Sequence, residues 1–195
     1  DPVGLAFWED ALTTANGDLS AIMTSFGTSA EATTLFGSLT NEAKVAALYQ
    51  QMFGRAPDSA GSAYYVAQLA AGTMTAASIA QSVSDGATGN DSTILANKLA
   101  VAKAFTTSVA SDAGSITAYA GDAAASSART LLATVDTSTN TATFDVATSV
   151  ASIVSTAAST AAAAAAAATE AAATAAYDAA VVVHTAAVAT FDAAA

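Results

Sequence analysis

Apolar side chains recur every three or four residues along most of the chain, which is the spacing of an amphipathic helix. The clearest stretch is 41–53, whose apolar positions form one stripe: Val45, Leu48, Tyr49, Met52 and Phe53. Thr40 precedes this stretch as a predicted N-cap, Glu42 lies in its first turn, and Gly54 follows its last apolar residue. The pattern therefore predicts a helix over residues 41–53.

Two shorter helices are predicted next. Asp58 is a predicted N-cap for a helix that Gly72 closes, and a further helix carries Ile79 and Val83. The turn between Gly54 and Asp58 contains Arg55 and Pro57. We predict that Gly54, Arg55, Pro57 and Asp58 form a structural turn, in which Arg55 bonds the last carbonyls of the preceding helix. The alternative is that Arg55 and Asp58 bind a ligand.

Later apolar positions predict two more helices before a polar loop at 136–140. One runs from about Asp91 to Val109, with an apolar face made of Leu95, Leu99, Ala102 and Phe105. The other follows Asp122 and carries Leu131, Leu132 and Val135. Sustained alternation of apolar and polar residues is absent from the sequence, so the predicted fold class is all-α.

The last quarter of the chain has a different composition. No Gly or Pro occurs from Thr141 onwards, and alanine, the strongest helix former, dominates. We predict a long Ala-rich helix over 141–195 that serves in assembly or as a spacer, with apolar positions at helical spacing that include Phe144, Val150 and Val154. Bulky apolar residues near its end are the predicted self-association surface: Val181, Val182, Val183 and Phe191.

An internal repeat relates the first part of the chain to a later part. DSAGSAYY at 58–65 matches DPVGLAFW at 1–8, an offset of 57 residues. The same offset relates further apolar pairs: Leu12 and Leu69, Ile22 and Ile79, Phe26 and Val83. Stacked copies of one helical unit share a continuous core, so this pattern predicts tandem short-helix repeats that form a compact head.

The repeat divides the chain into three predicted parts. Residues 1–37 form a first repeat without its leading helix, 38–135 form the second repeat and the helices after it, and 141–195 form the long helix. The missing leading helix predicts that the chain is a piece of a longer protein.

The sequence LYQQMFGRAPDSAG at 48–61 resembles the LYxxxFGRxPDxxG signature of a helical repeat known as a domain of unknown function. The stretch 97–105 is similar to the NKxxVAxxF segment that often follows this signature. Ser62 departs from the pattern, because the family usually has Leu there. The family occurs in bacterial S-layer proteins, RTX-type secreted proteins and other surface proteins. The resemblance therefore implies an extracellular protein of the cell surface, with calcium as an ion that such proteins use.

Composition and charge limit the kinds of partner that the protein is expected to bind. The 195 residues carry a net charge of −11, with only five scattered Lys and Arg residues. Nucleic acids and anionic membrane surfaces require clustered basic residues, so we exclude both as partners. The uncharged stretch 146–169 has the length of a membrane span, but its many Ser and Thr residues argue against insertion. The absence of cysteine excludes disulfides and thiolate chemistry.

Candidate chemistry is sparse. His184 is the sole histidine and stands among Val and Thr residues, and the sequence contains no phosphate-binding loop or nucleophile elbow. We predict that the chain is not an enzyme and needs no cofactor or metal of its own. Trp8 and Tyr65, each second in an aromatic pair, are the candidates for stacking on a sugar ring.

These observations favour a structural subunit of a bacterial cell-surface assembly, S-layer-like or filamentous, that acts by helix packing and forms homo-oligomers. The alternative is a glycan-binding module that anchors a larger secreted protein to the cell-surface polysaccharide.

Overall fold

The computed structural model describes the backbone of residues 2–192 and the side chains of residues 2–121 and 123–186. Every regular element in this part of the chain is a helix, so the protein is all-α as predicted. The helices are α1 Pro2–Thr14, α2 Ser20–Thr28, α3 Ala30–Phe36, α4 Asn41–Phe53, α5 Ser59–Ala71, α6 Ala76–Asp85, α7 Gly89–Ala110, α8 Ala113–Ala118, α9 Gly121–Ala133 and α10 Val146–Asp192. The chain divides into two units, residues 1–154 and residues 155–195.

Helix α4 organises the first core cluster of the first unit. It packs against α5, α6 and α7. The buried side chains of this cluster are Val45, Leu48, Tyr49, Phe53, Ile79 and Val83. All but the last two come from the apolar stripe predicted for 41–53, and Ile79 and Val83 come from α6. Val45 of α4 and Ile79 of α6 are completely removed from water, so these two helices supply the centre of this cluster.

A second core cluster forms farther along the chain. Phe105 and Val109 of α7, Ala124 of α9, and Val150 and Ile153 of α10 are its buried residues. The spacing of Val101, Phe105 and Val109 on α7 repeats that of Val45, Tyr49 and Phe53 on α4, and all six side chains are buried. Helix α7 thus repeats the apolar spacing of α4, and its Phe105 and Val109 belong to the second cluster.

Several helix bounds agree with the sequence and several differ. Helix α4 has the predicted bounds, while α10 begins five residues later than predicted, at Val146. Asp145 precedes it, and its carboxylate accepts a hydrogen bond from the backbone N–H of Thr148 at 3.0 Å, as an N-cap does. Helix α8 was not predicted, because its six residues are too short for a periodic pattern to be recognised.

The predicted apolar face of α7 is wrong at Leu99, whose side chain is 57% exposed. The buried face instead contains Ile94, Val101, Phe105 and Val109. Because α7 has 22 residues and contacts α1, α4, α8 and α9, different parts of it bury different sides. A single stripe chosen from spacing alone does not describe such a helix.

The first two helices of the first copy correspond in their bounds to α5 and α6 of the second. Shifting α1 by 57 residues gives 59–71, which are the bounds of α5, and shifting α2 gives 77–85, within one residue of α6. Ile22 and Ile79 occupy matching positions and both are buried. The two aromatic pairs also match, since both have T-shaped rings about 5 Å apart. Local structure is thus shared by the two copies.

The second unit, as far as the structure describes it, consists of the part of α10 that begins at Ser155. From 155 to 186 every side chain except Ala157 is exposed. Alanine keeps this segment helical without burying it, since its helix propensity does not depend on tertiary contacts.

Candidate functional site

The signature turn between α4 and α5 is built from backbone geometry and one carboxylate. Gly54 ends α4 in the left-handed conformation, with φ of 70°, which a side chain would strain. Asp58 starts α5 by accepting a hydrogen bond at Oδ1 from the backbone N–H of Gly61 at 2.8 Å. That bond lowers the pKa of Asp58. Pro57, directly before the cap, is half-buried, so the turn carries the cap geometry predicted for it.

Arg55 makes a different contact from the one predicted. Its Nε and Nη2 atoms donate to the two carboxylate oxygens of Asp91 at 3.1 and 2.5 Å, and Nη1 donates to the carbonyl of Ala56. The guanidinium also lies 5.5 Å from the ring centres of Tyr49 and Phe53. The hydrogen bond with Asp91 raises the pKa of Arg55. Arg55 therefore clamps the turn to the start of α7 rather than to the carbonyls of α4.

Lys98 makes the contact with the last carbonyls of α4 that the sequence assigned to Arg55. Its Nζ donates to the carbonyl of Gln51 in the last turn of α4 at 2.6 Å, where the helix dipole favours a positive charge. Burial lowers the pKa of Lys98. Asn97 next to it donates to the carbonyl of Asp136 at 2.8 Å. Asn97 and Lys98, the first two residues of the NKxxVAxxF segment, thus connect α7 to the loop after α9 and to α4. Local spacing in the sequence does not predict these contacts, because the partners lie 39 and 47 residues away.

These interactions indicate that the signature residues stabilise the turn between α4 and α5. Residues 23–88 match the family model of DUF4214, a domain of unknown function. The match covers about a third of the chain and includes the whole signature turn. Neither the curated proteins nor the solved structures contain a significant match. The resemblance is therefore confirmed as a domain of unknown function.

The two aromatic pairs direct their second rings inward. Trp8 packs on Phe26, with ring centres 4.9 Å apart, and Tyr65 packs against the first core cluster while its hydroxyl lies 3.1 Å from the Ser82 hydroxyl. Phe7, by contrast, is exposed, and so is its counterpart Tyr64. Phe7 and Tyr64 are therefore more exposed than the candidates from the sequence, Trp8 and Tyr65, which are half-buried.

An open cavity of about 540 Å³ lies against the DUF4214 segment. Its walls come from α2, α3, α4, α5 and α6, together with Arg129 of α9. Apolar side chains dominate the lining: Phe26, Leu35, Phe36, Leu48 and Leu69. Lys44 and the ion-paired Arg129 and Glu31 supply charge. Sequence reasoning missed this site, since its residues come from six separate helices and share no motif.

The predicted self-association residues of α10 are exposed where the structure describes them. Val182 and Val183 are 68% and 69% exposed, and Val181 and Tyr177 also face solvent. Phe191 lies outside the residues whose side chains are described. By length and composition, 146–186 also qualifies as a membrane-crossing helix, with mean hydropathy 1.5 in its most apolar window.

Metal chemistry has little support among the described residues. They contain no group of three or more His, Cys, Asp or Glu side chains that could hold an ion. His184 is exposed on α10. Calcium therefore stays an implication of the family resemblance, without a cluster of ligands in the described part of the chain.

Proposed function

We propose that this protein is a structural subunit of a bacterial cell-surface assembly, S-layer-like or filamentous, in which α10 packs against α10 of another copy. The observation that carries the proposal is the exposed apolar surface of 155–186, with Val182 and Val183 each about two-thirds exposed. Apolar surface of this kind is stabilised when another surface covers it.

The position of charge on α10 supports a helix–helix contact. Ala161 and Ala179 each lie nine residues from Glu170. At about 100° per residue, that distance places them on the opposite side of the helix from the carboxylate. We call this side, centred on Ala161 and Ala179, the alanine seam. Val182 and Val183 flank it, within about 60° of its centre.

Small side chains on the alanine seam allow close approach of a second helix, and the flanking valines add apolar area at its edges. A second copy is the occupant we propose, because its own seam presents the same uncharged small residues, while Glu170 and Asp178 lie about 180° and about 100° from the seam centre.

The test compares two double-lysine variants with the wild type by sedimentation velocity and electron microscopy. Val182→Lys with Val183→Lys places two charges beside the alanine seam, and unpaired buried charge costs several kcal/mol, so assembly should require at least about tenfold more protein. Thr174→Lys with Thr185→Lys is the matched control, because these exposed residues lie on the Glu170 side. The control should assemble like the wild type.

Three results would overturn the proposal. The wild type could remain monomeric at every concentration, both variants could assemble equally well, or the wild type could float with liposomes as a membrane-inserted helix. The last result would show that 146–186, whose length and hydropathy also suit a membrane-crossing helix, inserts into a membrane instead.

Attachment to cell-surface polysaccharide is the second proposal. It is supported by Phe7 and Tyr64, exposed rings at matching positions of the two copies. An exposed aromatic face can stack on the apolar face of a sugar ring. Replacing both rings with Ala should abolish binding of the monomer to purified polysaccharide, while Tyr177→Ala, which removes an exposed ring from α10, should not. Equal binding by both variants would contradict this proposal.

A further inference from the structure

The cavity beside the DUF4214 segment combines an apolar lining with a local excess of positive charge. Two of the five basic residues of the chain, Lys44 and Arg129, line it, and Glu31 is the one carboxylate among its lining residues. In a chain with a net charge of −11, this local balance differs in sign from the protein as a whole. An electrostatic preference for an anion follows.

Arg129 and Lys44 differ in how far their charges are satisfied. Arg129 donates to Glu31, so that pair is neutral overall. Lys44, half-buried on α4, has no side-chain hydrogen bond or ion pair with any residue that the structure describes. Its ammonium group is the unmatched charge of the cavity. A half-buried Lys side chain without an ionic partner can form a charge-assisted hydrogen bond with an anion that enters the cavity.

The start of α6 adds to this preference. Ala76 and Ala77 belong to its first turn and line the cavity. The Thr75 hydroxyl accepts a hydrogen bond from the Ser78 N–H, and the positive end of the helix dipole lies at this terminus. The apolar walls contributed by Phe26, Phe36 and Leu69 suit a ligand body without polar groups.

We propose that this cavity binds a small monoanion with an apolar body, of the fatty-carboxylate class, with its carboxylate against Lys44 and its hydrocarbon against Phe26, Phe36 and Leu69. The proposal is independent of assembly through α10, since every lining residue belongs to the first unit.

The chain contains its own reporter for this cavity. Trp8 is its single tryptophan, and the Trp8 ring lies 4.9 Å from the ring of Phe26, a lining residue. Decanoate, kept below its micelle concentration, should change Trp8 fluorescence in a saturable way with one site per chain. Decanol tests the need for the negative charge, and decyltrimethylammonium tests a cation with the same hydrocarbon.

Lys44→Met removes the charge and keeps an unbranched side chain that is one atom shorter. It should weaken decanoate binding at least about tenfold, as expected for loss of a charge-assisted hydrogen bond, and leave decanol unchanged. Lys103→Met is the matched control, because Lys103 is exposed and does not line the cavity. Ala32→Leu, which adds volume at a lining position, should weaken both ligands.

Thermal unfolding of each variant separates lost binding from lost folding. If Lys44→Met proves unstable, Ala32→Leu and the comparison of decanoate with decanol still decide the question. Equal affinity for decanoate and decanol, unchanged decanoate affinity in Lys44→Met, or no saturable signal would overturn the proposal.

Discussion

Two copies of one helical unit, residues 1–37 and 58–95, share the bounds of their first two helices to within one residue and differ in what covers them. Phe26 of the first copy is 48% exposed, while Val83 at the matching position is 6% exposed beneath α4. The local sequence therefore determines where the helices begin and end, and the neighbouring α4 determines how much of their apolar surface is buried. How much apolar surface each copy buries therefore depends on the helices packed against it as well as on its own sequence.

The matching isoleucines give the largest expected difference between the copies. Ile79→Ala removes a fully buried side chain from the first core cluster and should lower the free energy of unfolding by about 4 kcal/mol. Ile22→Ala, at an 8% exposed position outside the two core clusters, should lower it by about 2 kcal/mol. Urea denaturation measures both changes.

Equal losses at the two isoleucines would contradict the comparison, because they would mean that α4 adds nothing to the burial of its own copy. A larger loss at Ile22 would reverse it. Leu99→Ala is the control, since that side chain is exposed on α7 and its truncation should change stability by at most about 0.5 kcal/mol.

Sequence reasoning succeeded where structure is local. Thr40, Gly54, Asp58 and Gly72 occupy cap positions that their residue types predict, because each cap depends on contacts within a few residues. It failed at Leu99, because the buried side of a long helix depends on which helices pack against it.

In the candidate sites, too, local contacts could be predicted from the sequence and tertiary contacts could not. The turn at 54–58 was predictable as a motif, but Arg55 pairs with Asp91, 36 residues away, and Lys98 takes the carbonyl contact assigned to Arg55. The cavity could not be predicted, because the five helices and Arg129 that line it come together only in the folded chain. Periodicity identifies helices, and only tertiary structure identifies what lies between them.

Loss of the ion pair between Arg55 and Asp91 should lower the free energy of unfolding by less than either isoleucine substitution. Arg55→Met removes the bidentate pair with Asp91 and should lower the free energy of unfolding by about 1 kcal/mol, a modest value because the Arg55 side chain is 45% exposed. A double-mutant cycle with Asp91→Asn isolates the pair from the stacking of Arg55 on Tyr49. A coupling energy near zero would show that the clamp contributes orientation without stability.

The smallest effect distinguishes two residues at matching positions: Asp18, which directly precedes the N-cap Leu19 of α2, and Thr75, which is the N-cap of α6. The Ser20 N–H donates to Oδ1 of Asp18 at 2.8 Å, and hydrogen bonds from the Ser20 backbone and hydroxyl hold the pKa of Asp18 below its ordinary value of 3.8. The Ser78 N–H donates to the Thr75 hydroxyl at 3.2 Å, and that hydroxyl does not titrate in this range.

Because the folded pKa of Asp18 is depressed, its contribution to stability is fully present above the unfolded value and is lost as the pH falls through the folded value. In an NMR titration, the Ser20 amide shift should therefore change with a midpoint below 3.8, while the Ser78 amide stays flat. Asp18→Asn should abolish the Ser20 titration, and Thr75→Asp should introduce one at Ser78. A Ser20 midpoint at or above 3.8, or the same titration at both amides in the wild type, would show that the two copies do not differ in this way.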